Sequence, residues 1–289
     1  MVHGARQLSA KPLGGRIQGE RVVPSHFSSI GFPLESQEEL QSLTERLLPE
    51  CEEHRTSLGR YVRYASPCGA ELWFQVDAHD ELVGVTPYFA AQTRLTVGLT
   101  GSVNRPDDTP LEGALQAWAS PSADEPADSG HYPFVFDCPD YRLYGEIAFP
   151  TVAQASIAAF AHELSFFRSI EEFNASQSEQ PGFASQSFIP SGLFSPDGES
   201  HDPPRSEALL TGHVRAAAKR TNPATGKQYL SAEVESYGGA FHVVSDPELV
   251  SEPLVPGGVV QGSFWLCGRL VTLPPTRAAR GILRRLFSR

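Results

Sequence analysis

Hydrophobic and polar positions divide the chain into short period-two runs and a few longer apolar stretches. Residues 25–34 (SHFSSIGFPL) read as a short strand. Ser36 with Glu39 three positions on forms a capping box, and Leu40, Leu43, Leu47 and Leu48 supply the buried stripe of a helix. Strands at 60–64 and 70–76 follow across the turn Ser66-Pro67-Cys68-Gly69, then a strand at 82–89, so the predicted order is β-α-β-β-β. Residues 94–103 and 111–118 read as a hairpin across Asn104–Asp108. A loop with Asp124, Glu125 and Asp128 leads to a strand at 132–144.

The spacing of Ile157, Phe160, Leu164 and Phe167 predicts a helix over 151–173 with one buried face. Residues 183–194 (FASQSFIPSGLF) read as an extended segment docking on a core, and the Pro- and acid-rich run 195–204 as a linker. Beyond it, residues 208–273 are strand-rich. Turn chemistry at Asn222-Pro223, Thr225-Gly226, Gly238-Gly239 and Pro256-Gly257-Gly258 separates the runs, and Gly262 and Gly268 lie inside the last one, as corners of a small barrel require. Pro274-Pro275 then breaks the chain before a basic amphipathic helix at 276–289.

These patterns predict an α+β chain with a mixed or antiparallel sheet and two helices, followed by a small barrel. The expected layout is a flexible basic tail (1–24), an α+β domain (25–194), a barrel (205–273) and a tail helix (274–289). The barrel segment resembles an OB-fold, which implies affinity for oligonucleotides or oligosaccharides. Arg215, Lys219, Arg220 and Lys227, with Tyr229 nearby, are the residues that would line such a groove.

Charge qualifies that implication. The chain of 289 residues carries a net charge of -11 and a mean hydropathy of -0.24. Four basic residues lie in 1–24 and five arginines in 274–289. The body between them holds 14 basic against 33 acidic residues, near -19. Such a body repels phosphate backbones, so nucleic acid is a disfavoured partner. Arg277, Arg280, Arg284 and Arg285 could instead meet an acidic protein partner or an anionic membrane surface. No apolar run reaches the roughly 18 residues of a membrane span. Without a hydrophobic leader, and with Cys51, Cys68, Cys138 and Cys267 widely spaced, a cytoplasmic location with reduced thiols is the expectation.

Candidate chemistry is sparse. The segment YVRYASPCGAELWFQVD (61–77), in its β-α-β-β-β setting, resembles half of a glyoxalase-like (vicinal oxygen chelate) domain. That resemblance implies a divalent metal held by His26 in the first strand and Glu71 after the turn. It also calls for a second half. When FDCPDYRLY is laid over YASPCGAELWF, Leu143 falls where Glu71 stands, so the second half brings no matching ligand. His162-Glu163 opens an HExxH pattern, but Phe166 stands where its second histidine belongs. GxSxG elbows and GxxxxGKS or GxGxxG loops are absent, and Cys267 sits in the apolar run FWLCG, where a thiol is inert. With no catalytic constellation complete, the expectation is a non-catalytic, cofactor-free binding or scaffolding protein. A metal-dependent enzyme and a single-strand nucleic-acid binder are the alternatives.

Overall fold

A computed structural model describes residues 26–122, 129–177, 182–193, 202–250 and 252–272. Within these, two helices and thirteen strands form an α+β fold. Ser36 caps α1 (Gln37–Leu47), its hydroxyl accepting from the Glu39 N–H, while the Glu39 carboxylate reaches back to the Glu35 N–H. The antiparallel meander β1 (Glu52–Thr56), β2 (Gly59–Ala65), β3 (Ala70–Asp77) and β4 (Leu82–Phe89) follows. Gly69 closes the β2–β3 turn at φ 94°, and a side chain there would collide with the Phe89 ring.

The remaining strands make one mixed sheet: β5 (Leu95–Val103), β6 (Ala114–Ala119), β7 (Pro133–Asp137), β8 (Thr151–Phe167), β9 (Ser187–Ile189), β10 (Glu207–Thr221), β11 (Gln228–Ser236), β12 (Gly239–Ser245) and β13 (Val259–Leu270). Its spine is the long antiparallel ladder of β8 with β13, running from Ala155↔Leu270 to Phe167↔Val259. On its other edge β8 pairs first with β5, at 151–155, and then in parallel with β12, at 158–160. The outer edge of β13 likewise meets β10 and, at Cys267, β7. Two five-membered rings therefore close on one ladder. One runs β8-β5-β6-β7-β13, the other β8-β12-β11-β10-β13.

Alternation along β8 explains the core. Ala153, Ala155, Ile157, Ala159 and Ala161 point inward, packing with Val97, Phe134, Phe136, Leu210, Val234 and Phe241. The other face, through Ala158 and Phe160, joins Trp73, Phe74, Phe89 and the leucines of α1 in a second core beneath the four-stranded sheet. The β10–β11 turn clamps that layer. Asn222 Nδ2 donates to the Ile30 carbonyl at 3.0 Å, and Thr225 Oγ1 to that of Gly31 at 2.6 Å.

Three expectations are corrected. Residues 151–173 are not one helix, because β8 occupies 151–167 and α2 (Ile170–Ser176) starts only after a second capping box, Ser169 with Glu172. Residues 155–161 of β8 are buried on both faces, and so continuous a buried run matches helical spacing as readily as strand alternation. Residues 25–34 contain a 3-10 turn at Ser28–Ile30 rather than a strand, and the unforeseen strand β1 takes its place in the meander. Nor does the 205–273 segment close on itself, since β8 supplies the fifth strand of its ring. The extended segment at 183–194 does dock, through β9 and the buried Phe188.

Candidate functional site

His26 and Glu71, paired by the resemblance, lie in different places. Glu71 is buried on β3 and saturated. Arg63 on β2 grips it with Nε at 3.0 Å and with Nη2, and Trp73 Nε1 donates to it at 2.9 Å. Arg269 of β13 closes the group, with its guanidinium carbon 4.7 Å from the centre of the Trp73 ring and Nη1 4.0 Å from Glu71 Oε2. Its Nε donates to Asp140 at 2.7 Å, and Asp140 also receives the Tyr144 hydroxyl. Burial opposes the Arg269 charge, but Asp140 beside it, then Tyr144 and Glu71, hold its pKa above the ordinary arginine value. Each carboxylate here is spent on the fold.

His26 packs instead against Trp265, which stands four residues before Arg269 on β13, on the order of 13 Å along the strand. Its ring stacks on Trp265 at 4.3 Å between centroids and on His162 at 5.0 Å, with the two Nε2 atoms 2.7 Å apart. Register explains why His162 arrives there. Ala161 pairs with Phe264 and Glu163 with Ser263, so His162 is the extra residue of a β-bulge. A bulge re-aims side chains that regular alternation would send elsewhere. Burial, and then the neighbouring His162, push His26 down to about 3. Burial also lowers His162, opposed by the carboxylates of Glu207 and Glu163. Both imidazoles are thus neutral at physiological pH, and one Nε2 carries a proton that the other accepts.

Trp265 is itself anchored. Its indole Nε1 donates to Asp137 Oδ2 at 2.6 Å, and the other Asp137 oxygen accepts from Arg105 at 2.7 Å and from Ser206 at 2.8 Å. Glu207 lies opposite Trp265 in the β10–β13 register, and Leu209 two positions further along β10 faces outward beside Ile189 of β9. Among the described residues no three metal-ligating side chains already surround one point.

The five proposed groove residues separate. Tyr229 is fully buried, its hydroxyl donating to the Cys68 carbonyl at 2.8 Å, and Arg220 donates to the same carbonyl at 3.3 Å while lying over Phe89. Those two are interlayer clamps. Arg215 is exposed and paired with Glu235, and Lys219 and Lys227 are exposed. Arg277, Arg280, Arg284 and Arg285 lie outside the described residues, as do the tails and the acidic loop at 124–128. Cys138 and Cys267 are buried, and desolvation raises both thiols well above their ordinary value, so neither is a nucleophile at neutral pH.

The sequence pointed to His26 and to His162, but set the latter within the helix expected over 151–173. It missed Asp137, Asp140, Arg105 and Arg269. Asp137 and Asp140, in FDCPD directly after an apolar strand, were the available signal, since carboxylates so placed need partners. Comparison with known protein families, with curated proteins and with solved structures finds no match.

Proposed function

We propose that this chain is a non-catalytic binding or scaffolding protein whose β8, β10, β11, β12 and β13 form an OB-like barrel with a protein partner. The observation that carries this reading is the edge strand β9. Among the described residues it pairs with β10 alone, and the cross-strand pair Ile189 and Leu209 projects outward from it, exposed. An unpaired edge beside exposed apolar side chains suits addition of a partner strand.

The face an OB-like barrel usually offers to oligonucleotides, here β11 and β12, is taken up internally. Tyr229 and Val244 are buried beneath the four-stranded layer, and His242 stacks on Phe89 at 4.5 Å. Further along the same face stand Glu233 and Glu235, which repel phosphate. That arrangement favours a protein partner over a single strand of nucleic acid.

The test is capture from lysate with the wild-type chain and with Ile189→Asp/Leu209→Asp. Proteins retained by the wild type should be lost in the variant while its melting temperature stays within a few degrees. Retention of the same proteins by the folded variant would refute the edge. Salt-dependent retention on single-stranded DNA, lost in Lys219→Ala/Arg220→Ala, would replace this reading with the nucleic-acid one.

A further inference from the structure

Of the polar groups gathered on the outer face of the β8–β13 ladder, His26 and His162 are left without a structural duty comparable to that of Glu71, Asp137 or Asp140. Their Nε2 atoms are 2.7 Å apart. Two imidazole ligands at about 2.0–2.1 Å from a tetrahedral ion stand about 3.3 Å from each other. A change of roughly half an ångström, within reach of two side-chain rotations, would turn this hydrogen-bonded pair into a chelating pair. Each Nε2 would then use its lone pair, the ring that had carried its proton there taking up the Nδ1–H tautomer through solvent, so both bind as neutral imidazoles with no net proton released.

The surroundings suit a cation. Trp265 fixes the His26 ring by stacking and is held by Asp137, so one ligand is pre-positioned. The bulge gives the other ligand a position that regular pairing would deny it. Glu207 stands across from Trp265 on β10, its carboxylate exposed and within 3.9 Å of Arg205, a loose surface pair. Two imidazoles with a carboxylate and open positions are a donor set for zinc, nickel or copper(II), and a poor one for calcium or magnesium.

We propose that His26 and His162, completed by Glu207 and water, form a binding site for a divalent transition-metal ion. The site differs from the pairing of His26 with Glu71 and stands independently of the partner-binding reading. It sits on one half of the shared ladder and ties the segment entering at His26 to the bulge in β8.

Full-length protein purified without an affinity tag, stripped with chelator and dialysed against zinc at neutral pH, should take up about one equivalent by elemental analysis. Copper(II) should quench the fluorescence of Trp265, whose ring lies against His26. His162→Ala should weaken uptake by more than about tenfold, Glu207→Gln by about tenfold, and Glu71→Gln should leave it unchanged. His162→Gln keeps a polar side chain without an imidazole, and should fail in the same way if His162→Ala does not fold. Absence of uptake by the folded wild type would overturn the proposal, as would full uptake by His162→Gln. Unchanged uptake in Glu207→Gln would overturn the assignment of the third ligand.

Discussion

The two clusters on the outer face of β13 make an instructive contrast. At Arg269 the chain buries charge and pays for it with charge: Glu71 and Asp140 are met by two guanidinium groups, an indole and a phenol. At Trp265, four residues away, it brings together two neutral imidazoles and an indole, with carboxylates at the margin. The first arrangement has every acceptor satisfied and leaves nothing to offer a ligand. The second holds lone pairs in a single hydrogen bond that a stronger acid could displace. Buried ionisable residues are thus no guide to function by themselves, because what matters is whether their partners are already chosen.

The largest effect should come from breaking the saturated cluster. Glu71→Ala leaves Arg63 and Arg269 without their shared carboxylate, and removing one partner of a buried ion pair costs about 3–5 kcal/mol. A urea melt should show that loss, and the melting temperature should fall on the order of 10 °C. A drop near zero would mean that water enters the cluster freely.

A smaller effect is expected one step from the histidines. Trp265→Phe keeps the ring against His26 but deletes the indole bond to Asp137, at a cost of about 2 kcal/mol for a hydrogen bond to a charged acceptor. Equal losses for Trp265→Phe and Glu71→Ala would erase the distinction between the two clusters.

Acid should act through buried imidazoles, that of His26 beside Trp265 and that of His242 against Phe89. His26 is held at about 3 and His242 at about 4, both below the ordinary value of 6.5. Between those limits the unfolded chain binds more protons than the folded one, so stability rises with pH through this window and levels off above it. Folding free energy measured from pH 4 to pH 8 should therefore fall on acidification below about 6.5. His242→Gln should flatten that limb, and an unchanged slope would remove His242 from the account. At the small end, Arg215→Ala breaks an exposed pair with Glu235 and should cost no more than about 0.5 kcal/mol.

Much of the local structure was legible. Capping of α1 by Ser36 and Glu39, the turn at Ser66–Gly69, strands β2 to β6 and the turns around Asn222 and Gly238 each follow from neighbours in sequence. The length of β8 was not, because residues 155–161 at its centre are covered on both sides and carry no single period. Nor was the His26–His162 contact, which spans 136 positions and depends on a one-residue bulge.

What the sequence determined alone was therefore the α+β class, the hairpins and caps, and an acidic body with basic ends, all set by interactions within a few residues. The tertiary structure decided that β8 and β13 form one ladder closing two rings. It decided also that Arg220 and Tyr229 clamp layers instead of lining a groove, and that His26 meets His162 instead of Glu71. Those outcomes turn on which distant strand covers which face, a choice made by burial over the whole chain.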